Sequence, residues 1–140
     1  SRKWCQMAII GFNFEKIIVE KKNKINSKLS IKNNLSIVNI EQEKLNLTNS
    51  GDVLKFNFEY TANYEPKIGQ IVLAGHILVM EESIKVKEIL EEWSKDKKLP
   101  KDLMSQILNT ILAKCNIKAL SLTQEVNLPP HIKLPMLKNK

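Results

Sequence analysis

The sequence is short of the residues that most often carry chemistry. It has two histidines, two cysteines, four glycines dispersed at positions 11, 51, 69 and 75, and a single arginine, Arg2. Scattered glycines exclude a phosphate-cradling loop, and no Gly-x-Ser-x-Gly elbow is present to carry an activated serine. His76 and His131 have no carboxylate or thiol at the spacing of metal ligands, so no metal site is expected. Cys5 and Cys115 lie far apart, without a second pair. That argues against a disulfide scaffold and for the reduced thiols of a cytoplasmic protein. The carboxylates at 15 and 20, 41 and 43, and 91 and 92 are of surface type, and nothing sets a pair across a cleft. No catalytic residue and no cofactor is therefore expected, and binding is favoured over catalysis. No apolar run approaches the ~20 residues of a membrane span. Residues 1–6 are not followed by the apolar core of a signal peptide; they are read as a leader or an added segment ahead of a start at Met7.

What is plentiful is lysine. It gives a net charge of +7 and a pI of about 9.4. Such an excess suggests an RNA- or ribosome-associated module. The scarcity of arginine, the residue suited to bidentate phosphate and base contacts, weakens that suggestion. Lysine, asparagine and isoleucine together are also what an AT-rich genome encodes. With 43% hydrophobic and 26% charged residues, the 140-residue chain reads as one globular domain, residues 1–140, with an extended tail over 128–140.

The patterning predicts strands first and helices last. Ile10, Phe12 and Phe14 alternate, and the apolar phase then slips to Ile17 and Val19, predicting a bulge near Glu15-Lys16. Leu29, Ile31, Leu35 and Ile37 resume the alternation, and a second phase change at Val38 and Ile40 implies either another bulge or a break at Asn33-Asn34. Asn49-Ser50-Gly51-Asp52 signals a turn into the clearest strand. There Leu54, Phe56, Phe58, Tyr60, Ala62 and Tyr64 share one face and polar residues the other, as in an antiparallel sheet with one wet side. After a connection at Glu65-Pro66-Lys67-Ile68-Gly69, the segment 70–80 is apolar on both faces. Helices are expected to cover one face, and a second subunit the face carrying Val72, Ala74, Leu78 and Met80. Gly75 marks a bulge or a close backbone approach.

Ser83 is placed to cap a helix over 83–97 with Val86, Ile89, Leu90 and Trp93 as its stripe. Asp102 is placed to cap a second helix. Its broad stripe (Leu103, Ile107 and Ile111 beside Met104, Leu108, Leu112, Cys115 and Ala119) predicts burial over much of its circumference, with an end at Asn116 or near Gln124. The class is α+β: a four-stranded antiparallel sheet with helices on one face. Candidate polypeptide-binding residues are the aromatics Phe12, Phe14, Tyr60 and Tyr64, together with Trp93 on the first helix.

This order resembles the SecB family of export chaperones across nearly the whole chain. Phe12-Asn13-Phe14-Glu15-Lys16-Ile17 is similar to that family's first strand, residues 54–62 to its third, and residues 109–130, ending Val126-Asn127-Leu128-Pro129-Pro130, to its long helix and exit. The resemblance implies a homo-oligomer, a dimer of dimers, that holds unfolded or nascent polypeptide in apolar grooves without ATP. Relatives that guard an antitoxin use the same fold. The charge of +7 departs from the family's usual acidic surface, which recruits the translocation ATPase. The helical pattern at 83–97 departs from its largely irregular crossover.

Overall fold

The computed structural model describes residues 8–43 and 52–134. The turn signal at 49–51, the leader residues and the end of the tail lie outside these. Four long strands, β1 (Ala8–Lys21), β2 (Ser30–Glu43), β3 (Asp52–Glu65) and β4 (Gly69–Glu81), are followed by helices α1 (Ser83–Asp96) and α2 (Lys101–Glu125). The sheet is antiparallel with order β1-β4-β3-β2, so β1 and β2 are its edges. The architecture is α+β, and both helices contribute to one core against the inner face of the sheet.

Three bulges reconcile the phase slips with a continuous apolar face. Extra residues on β1 at Ile10 and Glu15 bring Ile9, Phe12, Phe14, Ile17 and Val19 into register with Val79, Ile77, Gly75, Leu73 and Ile71 of β4. The extra residue on β2 is Val38, which keeps Ile37 and Ile40 opposite Phe58 and Phe56. The break at Asn33-Asn34 does not occur. Ile10 is a correction: it sits at a bulge and is exposed, and Ile9 takes the face position.

β3 follows its pattern. Leu54, Phe56, Phe58, Tyr60, Ala62 and Tyr64 are all buried. On β4 the inner set Ile71, Leu73, Ile77 and Val79 is buried, and the outer set Val72, Ala74, Leu78 and Met80 is half-buried. No described helix covers that outer set; its neighbours in register are Thr61, Glu59, Lys55 and the buried Val53 of β3 on one side and Ile18, Lys16, Gly11 and Ala8 of β1 on the other.

The helix starts differ from the capping expectation. The residue before α1 is Glu82, with φ −61° and ψ 144°, and Ser83 is already helical. α2 starts behind Pro100, and neither helix has a side-chain cap. Proline fixes an extended entry and lacks an N–H, which suits a helix start without capping. Lys97, in the left-handed region at φ 57°, ends α1, its N–H donating to the Trp93 carbonyl at 2.9 Å. α2 runs through Asn116 to Glu125. Leu103, Ile107, Ile111, Cys115, Ala119 and Thr123 form its buried row. The adjacent row does not close over: Met104 and Leu108 are half-buried, and Leu112 is exposed. Burial over much of the circumference is therefore corrected to burial of one row.

Candidate polypeptide-binding cleft

The two strand-one aromatics lie at the edge of the core, where the sheet meets α2. Register places Phe12 opposite Ile77, and it places Phe14 opposite Gly75, which has Phe58 as its partner on the other side. With no side chain between them, Phe14 and Phe58 meet edge to face with centroids 6.2 Å apart. Phe12 stacks on Phe58 at 5.3 Å and meets Phe14 edge-on at 5.1 Å. These are the favoured offset and T-shaped geometries. Phe58 is buried at the base of this three-ring cluster; Phe12 and Phe14 are half-buried at its rim.

α2 supplies the facing wall. Lys114, Ile117, Lys118 and Ser121 join Phe12, Asn13 and Phe14 around an open cleft of about 570 Å³. The Lys114 ammonium stands 5.4 Å from the centroid of Phe12, and that of Lys118 stands 6.0 Å from Phe14, within cation–π range. Ile117 on α2 is 73% exposed and Ile17 on β1 is 46% exposed, extending the apolar surface beyond the rings. Beside them runs the outer edge of β1, unpaired among the described strands. A second cleft of about 560 Å³ lies at the α1–α2 turn, lined by Glu88, Ile89, Glu91, Glu92, Lys95, Lys98, Leu99 and Pro100. It lacks an aromatic floor.

The remaining candidates from the sequence are not at a rim. Trp93 is 8% exposed within the core, with Lys97 5.3 Å from its ring centroid. Tyr60 and Tyr64 are buried, and their hydroxyls hold the C-terminal segment. Tyr60 donates to Asn116 Oδ1 at 3.0 Å, an oxygen shared with His131 Nε2 at 3.1 Å, and Tyr64 donates to the Pro129 carbonyl. Burial, with Cys115 and Tyr64 adding, pushes the Tyr60 phenol up to about 12; burial does the same for Tyr64 and for the Cys115 thiol. Asn33 Nδ2 adds a hydrogen bond to the His131 carbonyl at 3.0 Å, so residues 128–131 dock on the chain's own sheet. The tyrosines thus tie the fold together, and the cleft is built from Phe12 and Phe14 alone among the five candidates.

His131 gives that anchor a pH dependence. Burial holds its imidazole below the ordinary 6.5. The unfolded chain therefore takes up a proton before the folded chain does. Stability is complete above 6.5 and falls as the pH drops from there through the lowered folded value. Wild type should lose more thermal stability than His131→Gln between pH about 7.5 and about 5. Equal losses in parallel thermal melts would remove His131 as the cause.

No protein-family model matches the chain, and no curated protein matches it in sequence. The fold does have a solved counterpart: a SecB-like chaperone of Mycobacterium tuberculosis, in complex with a ChAD peptide from the HigA1 antitoxin. The two superpose with a TM-score of 0.52 over 97% of this chain and 94% of that one, at 8% identity. The fold is SecB-like. At that identity the likeness concerns architecture, reached here with a cleft of this chain's own residues. Among the described residues no helix is long and apolar enough to cross a membrane, and no three metal-ligating side chains gather.

Proposed function

We propose that this chain is an ATP-independent, chaperone-like protein that holds extended stretches of unfolded or nascent polypeptide in the cleft between β1 and α2. The observation that carries the reading is the open, aromatic-floored cleft beside a strand edge that is unpaired among the described residues. An extended segment needs both elements, since apolar pockets take alternate side chains and a strand edge offers backbone hydrogen bonds. The SecB-like fold supports it, its solved counterpart being bound to an antitoxin peptide. In the same proposal the outer face of β4, with Val72, Ala74, Leu78 and Met80, joins a second copy in a homo-oligomer. The chain acts by binding and not as an enzyme.

The test is aggregation of a chemically unfolded client on dilution, followed by light scattering with the full chain at equimolar ratio and no nucleotide. Scattering should fall substantially. Undiminished scattering at several-fold excess, together with no measurable peptide binding, rejects the reading. The lysine-driven alternative, an RNA- or ribosome-associated module, predicts RNA affinity that falls steeply with salt. That alternative rests on the lysine excess alone.

A further inference from the structure

The charges around the cleft are of one sign. Between Asp102 and Glu125, α2 carries only two ionisable side chains of ordinary charge, Lys114 and Lys118, and both face the cleft. No carboxylate is among the lining residues. The nearest carboxylates of β1 are directed elsewhere: Glu15 lies 3.2 Å from His76 Nδ1, and Glu20 accepts from Gln70 Nε2 at 2.7 Å. His76 and Gln70 belong to the opposite face of β4.

This arrangement has a cost in the empty protein. Like charges four residues apart on a helix repel. Both lysines sit more than one turn from the C-terminal carbonyls that would stabilise them. Their cation–π contacts offset part of that repulsion, and an anionic group in the cleft would offset the rest. The tail beyond the described residues is a poor occupant, because residues 135–140 include Lys138 and Lys140 and no acid.

Resting on the polypeptide-holding reading, we infer that the cleft selects acidic segments: extended peptide with apolar or aromatic side chains flanked by aspartate or glutamate. The rings and Ile117 take the apolar side chains, and the Lys114 and Lys118 ammonium groups meet the carboxylates. This makes the preferred client opposite in sign to the chain's own net charge of +7. It gives the lysine excess a local function without invoking nucleic acid.

The experiment measures anisotropy of three labelled peptides against the full-length chain. All share one apolar, aromatic core and are flanked by Glu, Gln or Lys. The Glu-flanked peptide should bind tightest, by about tenfold or more over the Lys-flanked one at low salt. Two exposed ion pairs amount to roughly that factor. The margin should shrink as salt screens the charges. The Lys114→Glu/Lys118→Glu variant should reverse the order, and Lys114→Gln/Lys118→Gln should flatten it. Lys101→Glu, a reversal on the same helix outside the cleft, should leave the order unchanged. Circular dichroism melts establish that each variant is folded.

Equal binding of all three peptides overturns the charge inference and leaves the holding reading standing. So does an order unchanged by the double reversal. Binding of none overturns both. Displacement of every peptide by single-stranded RNA at low salt overturns the inference in favour of a nucleic-acid site. Self-association abolished by the double reversal, without any charge preference among peptides, assigns the cleft instead to the acidic side of a second copy, around Glu88, Glu91 and Glu92.

Discussion

Replacing Gly75 with valine should unseat β1 from β4 and remove the cleft with it. Gly75 lies in the middle of β4, opposite Phe14, where the Glu15 bulge alters the path of β1. A Cβ at this position would run into the carbonyl oxygen of Asn13, and it would lie 2.9 Å from the Phe14 Cα. These are backbone atoms, which cannot swing aside as a side-chain end can. Overpacking commonly costs about 1–3 kcal/mol, and a clash against backbone belongs at or above the top of that range. The loss should concentrate on β1, because β3 pairs with the other side of β4. Chemical denaturation should show a lowered midpoint, and amide exchange should quicken along β1 before it does along β3. Gly75→Ala should show the same pattern in weaker form, since the first carbon already collides. A valine variant with wild-type midpoint and wild-type exchange would contradict this account.

Phe58→Ala should be nearly as damaging to stability, for the opposite reason. Phe58 is buried, and both cleft rings rest on it. Truncating such a ring removes its transfer free energy and leaves a cavity, together about 3–5 kcal/mol. Phe12→Ala should cost less stability, because Phe12 is only half-buried, yet it should lower peptide affinity more directly. Paired measurements of denaturation midpoint and peptide binding on the two variants separate the ring that supports the cleft from the ring that lines it. A Phe58→Ala chain within about 1 kcal/mol of wild type would show that the site collapses to fill the gap, against the packing described.

Much of this fold is legible in the sequence because strand alternation is a two-residue code that breaks visibly. The slip from Phe14 to Ile17 marks the Glu15 bulge, and the slip from Ile37 to Ile40 marks Val38. Alternation does not say what covers a face. Tyr60 and Tyr64 share the phase of Phe58, and only the path of α2 and of residues 128–131 over the sheet decides that they are interior. Pairing of β1 with β4 joins segments some sixty residues apart, a contact that no local pattern encodes. The helix starts were legible to within two residues, but the caps were not, because apolar spacing places a helix face well and does not say which residue stands just before it. The facing wall of the cleft had a signal, though a negative one: a long helix with no acid between Asp102 and Glu125 and two lysines a turn apart.

The three bulges have a bearing beyond register. All fall on β1 and β2, the two edges, and none interrupts the pairing of β3 with β4. A regular apolar edge is a template on which identical chains polymerise into cross-β stacks. An extra residue twists the edge locally and spoils its repeat. A chain kept in that way from templating its own copies can leave a strand edge beside an aromatic floor and still remain dispersed. Deleting Ile10 and Glu15 should straighten β1 and raise amyloid-dye-positive aggregation above that of wild type.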